Sequence, residues 1–437
     1  MTWLATVLRC PSCQGKLSGT DARIDCVSCN AQYPVRFGVP LLSEGVKVEN
    51  REERPSAEFV QEMTKFLGGD EAIQAQVETC FGLRLSFGDE VLQSEADQFL
   101  NRLRSSGVSL PEPYGLSPHV PEGVTLGWLI LPKAVQKGKV FSLSVVISNG
   151  SGQALSSKKE PPFRLSYIWE VDRCRLEGLR TPLLIDLAPG RQISMPIIIQ
   201  APDEPGEYRL RVMPIIEGIA WIEAAEITAT ISVSADEADP LSVDWTQDPQ
   251  TRGYLEDHSR AVELCREWVQ KYISAEEPVL LELGGNFHPM AQYLPGQRYN
   301  VDIDAFGLMT YNIKEGLCSA SVRNVVANGM NLPFPPDFAD SILLFATFHH
   351  FPDPVALLRH LTTRIKPGGL LLLMCEPIGH VFHDGAPADF MSELERGVYE
   401  QSFMPWEYRA MLAAAGLEIV EAALDPGSLK IAARKPG

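Results

Sequence analysis

The chain has 437 residues, 45% of them hydrophobic and 22% charged, with 56 acidic against 38 basic side chains and a formal charge of −18. That length exceeds what one hydrophobic core serves and calls for two to four domains. The acidic balance argues against a nucleic-acid partner, because phosphate binding rests on Lys and Arg, and no run reaches the roughly 18 apolar residues of a membrane span.

The short apolar run Trp3–Leu8 is too brief for a signal peptide and leads straight into cysteines, so the expected location is cytoplasmic. Residues 1–45 hold two C-x-x-C pairs, Cys10-Pro-Ser-Cys13 and Cys26-Val-Ser-Cys29, twelve residues apart. Each pair suits a tight knuckle, and four thiolates close a tetrahedral site with no position left for water. Cys10, Cys13, Cys26 and Cys29 are therefore expected to hold a structural zinc, two redox pairs being the alternative. So small a module depends on its metal to fold. The other cysteines, Cys80, Cys174, Cys265, Cys318 and Cys375, are expected as buried small hydrophobes. With its flanks Leu8-Arg-Cys-Pro-Ser-Cys-Gln-Gly-Lys-Leu17 and Tyr33-Pro-Val-Arg-Phe-Gly-Val-Pro-Leu-Leu42, the stretch resembles the zinc-ribbon family that includes the small activator subunit of tRNA and translation-factor methyltransferases. The resemblance implies a module that supports a methyltransferase.

Residues 51–108 are polar and helix-favouring, with apolar residues at helical spacing in Phe59–Phe66 and Val91–Leu103. Pro111–Pro118 reads as a linker. Over residues 119–235, short β-rich runs (Thr125–Leu131, Val140–Ser148, Phe163–Trp169, Ile193–Gln200, Tyr208–Ile216, Ala229–Val233) alternate with turn signals such as Asn149-Gly150 and Pro189-Gly190, the pattern of an antiparallel β-sandwich. Trp169 and Trp221 are expected to fill its core rather than stack on sugar faces. The sequences Phe141-Ser-Leu-Ser-Val-Val-Ile-Ser-Asn-Gly150, Asp186-Leu-Ala-Pro-Gly190 and Ala201-Pro-Asp-Glu-Pro-Gly-Glu-Tyr208 resemble the immunoglobulin-like domains of bacterial polysaccharide-biosynthesis proteins. That resemblance implies a glycan or a protein partner for the sandwich. Asp236–Thr251 reads as a second linker.

From residue 252 to 437 helices alternate with buried strands at Val279–Leu283, Tyr299–Ile303, Val322–Ala327, Ser341–Ala346 and Leu370–Cys375, which predicts a parallel sheet covered on both faces. The first strand ends in Glu282-Leu-Gly-Gly-Asn286, where glycines let backbone approach a ligand. The second ends in Asp302-Ile-Asp304, a carboxylate placed for ribose hydroxyls, and the third leads into Ala327-Asn-Gly-Met330. With Phe348-His-His-Phe-Pro-Asp-Pro354 and Lys366-Pro-Gly-Gly369, these motifs resemble class I methyltransferases more than a Rossmann dehydrogenase. The resemblance implies S-adenosylmethionine as cofactor. Glu282, Gly284 and Gly285 would line its methionine part, Asp302 would hold the ribose, Asn328 would accept from the adenine amine, and Gly329 and Met330 would present backbone to the ring. Gly284-Gly-Asn-Phe-His-Pro289 lacks the family's usual third glycine.

The expected fold is thus multidomain: zinc ribbon, all-β immunoglobulin-like sandwich and α/β doubly wound, Rossmann-like methyltransferase domain. Methyl transfer to a hydroxyl needs a general base, and His349, Glu376 and His383 are the candidates, with His350 assigned a structural place. A metal-assisted route through Asp353, His380 or Asp384 has no spacing that demands it. The function expected is O-methylation of a sugar or glycan intermediate in surface-polysaccharide assembly. The alternatives are an RNA or protein methyltransferase supported by its own ribbon, and a non-catalytic scaffold or glycan-binding protein on a degenerate methyltransferase fold.

Overall fold

The computed structural model describes residues 2–43, 45–51, 54–69, 71–87, 121–171, 174–235, 254–316, 321–379, 388–424 and 428–437. The expected helix at Val91–Leu103, both linkers, Cys318, His380, His383 and Asp384 lie outside them.

The C-terminal region is one seven-stranded sheet. Its strands are β1 (Val279–Leu283), β2 (Gln297–Asp302), β3 (Arg323–Val326), β4 (Ala339–Phe345), β5 (Ile365–Glu376), β6 (Glu418–Ala423) and β7 (Leu429–Arg434). They lie in the order β3-β2-β1-β4-β5-β7-β6. Strands β1 to β5 are parallel, and β7 runs antiparallel between β5 and β6. The dinucleotide-binding order is 3-2-1-4-5-6, so the antiparallel insertion sets this sheet apart from a dehydrogenase. Apolar residues run continuously because both faces are covered. Leu281, Leu283, Ile342 and Leu344 feed one core. Leu280, Leu343 and Phe345 feed the other, against Ala261, Cys265 and Trp268 of helix α1 (Tyr254–Tyr272). Helix α2 (Ala305–Glu315) starts on an Asp304 cap and stops at Gly316, whose φ of 81° suits glycine. Helix α3 (Pro354–Arg364) starts at Asp353 with Pro354 in its first turn. Helices α4 (Ala388–Arg396) and α5 (Pro405–Ala414) follow β5. The predicted Lys366-Pro-Gly-Gly turn lies within β5 itself, at a register shift against β4.

The ribbon is built on the edge of this sheet. Its four short strands pair in sequence order, and the chain leaving them extends the large sheet. Leu41 bridges Val326 in parallel, and the Leu42 N–H donates to the Val326 carbonyl at 2.8 Å. Leu4, Leu8, Leu17 and Tyr33 share a core with Tyr299 and Phe334 of the sheet. Residues 46–87 then differ from the all-helical expectation. Strands Val46–Asn50 and Leu83–Phe87 pair antiparallel and bracket helices Ala57–Phe66 and Glu71–Phe81. The helices cover α2, with the Phe81 ring stacked on Phe306 at 5.6 Å.

The central region is all-β. Cys174–Pro182, Phe163–Val171, Gly206–Ile216, Ile227–Ser234 and Ala134–Gln136 form one sheet, with Ala220–Trp221 paired to its third strand. Gln192–Gln200, Val140–Asn149 and Val124–Trp128 form the other. The two share a single core. Trp169 is buried in it, its indole N–H donating to the Gln200 carbonyl at 2.9 Å. Trp221 is half-buried beneath the Arg180 guanidinium.

Phe390 and Leu394 of α4 belong to that same core, so the sandwich is seated on the segment after β5. Glu407 of α5 is buried at this junction, accepting from the Ser144 N–H of the sandwich and from the Met404 N–H. Burial pushes its carboxyl up to about 7, the two N–H donors only partly opposing it. The folded chain therefore keeps this proton to higher pH than the unfolded chain does. The associated stability is complete below the ordinary carboxyl range and is lost as pH rises through about 7. Thermal melting is expected to weaken from pH 5 to pH 8. Glu407→Gln should flatten part of that slope; Glu282, also raised to about 7 by burial, supplies a further part. A variant whose pH slope matches the wild type's would exclude this origin.

Candidate functional site

In an open α/β sheet, ligands bind beyond the carboxyl ends of the strands, where the strand order reverses. Here that point lies between β1 and β4. Gly284 and Gly285 leave β1 there, and neither position has room for a side chain. A Cβ on Gly284, whose φ is +77°, would stand 2.4 Å from Thr347 Cγ2, and one on Gly285 would stand 2.6 Å from Asn300 Oδ1. Glu282 is fully buried, and its two oxygens accept from the N–H groups of Met290 and Ala291 at 3.0 and 2.6 Å. Glu282 thus holds the loop's backbone in place.

Asp302 is half-buried at the end of β2. One oxygen accepts from the Asn286 N–H at 2.9 Å and the other from the Asp304 N–H at 2.8 Å. Asp302 thereby ties the two strand ends together. Asn286, with φ of 43°, takes the place of the missing third glycine in the left-handed region that asparagine tolerates. Beside it Ile303 stands 38% exposed, an apolar surface next to the carboxylate. Asn328 is exposed, but its Oδ1 already accepts from the Met330 N–H at 2.8 Å. Its first task is to shape the turn that presents Gly329 and Met330. A tightly packed glycine turn at a strand end, a half-buried carboxylate and an exposed aliphatic side chain fit an adenosyl ligand with ribose hydroxyls. Gly284, Gly285, Asp302, Ile303 and the Asn328–Met330 turn would hold it.

The loop after β4 is organised by Glu376, the last residue of β5. Its carboxylate is 0% exposed. One oxygen accepts from the N–H groups of Thr347 and Phe348. The other accepts from the His349 N–H and contacts the His349 ring Nδ1 at 2.7 Å. Glu376 thereby positions the loop that carries His349. His349 is buried while the His350 side chain is 40% exposed, the reverse of the expected order. Glu400 faces both rings, with His349 Nε2 3.5 Å from Oε1 and His350 Nδ1 3.1 Å from Oε2. Burial lowers the His350 pKa, but contact with Glu400, the Tyr399 carbonyl and the charge of Glu376 raise it further, for a net upward shift. Gln401 donates to the carbonyls of His349 and Phe351. Sequence reasoning missed Glu400 and Gln401. Both lie in the insertion tail Gly397–Tyr408, but no spacing ties them to a histidine pair fifty residues earlier. A cleft of about 530 Å³ opens nearby between sandwich and sheet, lined by Trp128, Gln192, Asp353 and Arg359 among others.

The four N-terminal cysteines converge. Cys10 and Cys29 sulfurs lie 3.7 Å apart and those of Cys13 and Cys26 3.5 Å, near the roughly 3.8 Å edge of a tetrahedral zinc–thiolate site. Burial opposes ionisation of Cys26, yet the N–H groups of Cys29 and Ser28 bring its thiol down to about 6. The set is compatible with zinc. Of the lone cysteines, Cys80, Cys265 and Cys375 are buried.

Residues 256–422 match the family described as methyltransferase domain. No curated protein matches the chain. Among solved structures, the YcgJ protein of Bacillus subtilis is similar at 20% identity, over 38% of this chain and 72% of that one, with a TM-score of 0.32. A chain of the complex between the Haloferax volcanii Trm112 methyltransferase activator and a candidate methyltransferase is similar at 15% identity, over 42% and 93%, with a TM-score of 0.34. An O-methyltransferase family 2 protein of Planctomyces limnophilus is similar at 18% identity, over 41% and 60%, with a TM-score of 0.32. No described helix is long and apolar enough to cross a membrane.

Proposed function

We propose that this S-adenosylmethionine-dependent methyltransferase binds its cofactor across the ends of β1, β2 and β3 and methylates a hydroxyl of a sugar or glycan intermediate. The observation that carries the reading is the joined strand ends. The Gly284–Gly285 turn, the Asp302 carboxylate and the Thr347–His350 loop meet at the switch point of one sheet. S-adenosylmethionine supplies an activated methyl group, which passes in line from sulfur to the acceptor oxygen, so the protein's main task is positioning. The acceptor proton would leave to the titratable groups at the β4 and β5 ends. His349, held by Glu376, and the more open His350 are the described candidates, and His383 stays a candidate outside the described residues. The ribbon would brace the catalytic sheet at β3. The glycan assignment rests on the sandwich's resemblance to domains of polysaccharide-biosynthesis proteins, and the placement of its sheets against α4 and α5 favours an acceptor spanning both units.

Calorimetry with S-adenosylmethionine tests the first half. Hydrogen bonds to a charged group contribute about 1.5–3 kcal/mol each, so Asp302→Ala should weaken binding by roughly 100-fold or more. Transfer of labelled methyl to nucleotide sugars and glycans tests the second. A folded, zinc-loaded chain that binds no cofactor would overturn the enzymatic reading and leave a scaffold. Cofactor binding with transfer only to RNA or protein would overturn the acceptor.

A further inference from the structure

We infer that His349, His350 and Glu400 form a binding site for one first-row divalent transition-metal ion, separate from the cysteine site of the ribbon. The inference rests on these side chains and stands whether or not the acceptor is a sugar. One ring nitrogen each of His349 and His350 and one Glu400 oxygen lie within 4.8 Å of one another, and an ion on His350 Nδ1 would replace that atom's 3.1 Å contact with the Tyr399 carbonyl. His349 Nε2 lies 3.5 Å from Glu400 Oε1 and His350 Nδ1 lies 3.1 Å from Oε2, so each ring faces a different oxygen of the one carboxylate. A tetrahedral ion with bonds of about 2.0–2.1 Å to nitrogen and oxygen needs ligand atoms roughly 3.3–3.4 Å apart.

The surroundings are those of a metal ligand set. Glu376 Oε2 lies 2.7 Å from His349 Nδ1. That contact keeps the proton on Nδ1 and leaves the Nε2 lone pair facing Glu400, the carboxylate–histidine arrangement that orients metal-bound imidazoles. The ligands share one frame. Glu376 pins the backbone of Thr347 to His349, and Gln401, next to Glu400, pins the carbonyls on both sides of His350. Glu400 is 9% exposed, and its Oε2 lies 3.1 Å from His350 Nδ1. Two buried carboxylates thus face two imidazoles, and among the described residues neither carboxylate has a Lys or Arg ion pair. Buried negative charge is costly, and a divalent ion held between Glu400 and the two imidazoles would neutralise it without protonating either ring. A second cluster, Asp257, His258 and Cys375, lacks this need because Asp257 already holds the buried Lys430 ammonium. The histidine–carboxylate set leaves a fourth position open, where a bound ion would polarise an oxygen ligand.

The test uses the full-length chain with zinc in its ribbon, titrated with cobalt(II). Dialysis followed by elemental analysis should find two metal equivalents per chain, one zinc and one cobalt. The added cobalt should show weak visible bands without the intense thiolate charge-transfer absorption of a cysteine site. His350→Ala alters an exposed side chain and is expected to fold normally. It and Glu400→Gln should each bind cobalt at least tenfold more weakly while retaining the ribbon zinc. A wild-type chain holding only the ribbon's single equivalent overturns the site. So does cobalt that stays equally bound in both variants, or cobalt that carries thiolate absorption.

Discussion

Cys26→Ser is expected to lower the thermal melting midpoint by roughly ten degrees or more, and to weaken S-adenosylmethionine binding by about tenfold although the residue lies in another module. Serine supplies no thiolate, and a three-sulfur site loses much of the roughly 10–16 kcal/mol that zinc contributes to folding such modules. A shift of a few kcal/mol moves the midpoint by about 2–4 °C per kcal/mol in a domain of this size. The effect spreads because the ribbon does not fold apart from the sheet. Trp3 packs edge-on against Tyr299 at 5.8 Å with Arg323 over both rings. The Arg9 N–H donates to the Pro333 carbonyl at 2.8 Å, and Asn331 donates to the Pro11 carbonyl at 3.1 Å. Asn331 closes the turn that begins at Asn328, so an unfolded ribbon frees the segment assigned to the adenine ring. It also strips the edge of β3, leaving unpaired backbone groups that invite aggregation. Differential scanning calorimetry and a cofactor titration on the same sample decide the matter. An unchanged midpoint and affinity would make the ribbon a passive appendage.

The readable part of this chain is the part encoded locally. Cys10-Pro-Ser-Cys13 and Cys26-Val-Ser-Cys29 need only short spacing to declare a metal site, and the alternation of buried strands with helices declares a covered parallel sheet. The glycines after β1 are legible because the tight turn they make is a local property. What was not legible depends on partners distant in sequence. His349 and His350 are adjacent and chemically identical, and only Glu376, at the end of the next strand, decides which ring is buried. The Met290 and Ala291 N–H groups that fold back on Glu282 lie on a loop whose path its sequence does not declare. Strand Leu83–Phe87 was concealed within a helix-favouring stretch because its partner, Val46–Asn50, precedes two helices. The β6–β7 hairpin went unassigned because Glu418–Ala423 has neither a continuous apolar run nor a full alternation.

Glu376→Ala is expected to destabilise the catalytic region by about 3 kcal/mol or more, with Glu376→Gln milder. The carboxylate receives three backbone N–H groups and one imidazole. Hydrogen bonds to a charged acceptor contribute about 1.5–3 kcal/mol each, and an orphaned buried donor costs about 1–3 kcal/mol. Alanine removes all four partners and leaves a void. Glutamine keeps the volume and one oxygen, so two donors retain an acceptor. Two non-glycine residues beside this carboxylate, Ala346 and Cys375, sit at φ of 45° and 58°, a conformation costing of order 1 kcal/mol or more each that persists only where surroundings enforce it. Glu376 and the Ala346 N–H bond to the Met374 carbonyl at 2.8 Å are contacts that enforce it. Once the carboxylate is gone, both residues gain by relaxing, and Thr347 moves away from its packing position over Gly284. The variant should therefore bind cofactor more weakly as well as unfold at lower urea concentration. Urea unfolding of wild type, alanine and glutamine variants gives the ordering directly. Equal stability in all three would mean that the loop after β4 is held from elsewhere, and that the buried carboxylate's place is at the reacting atoms instead.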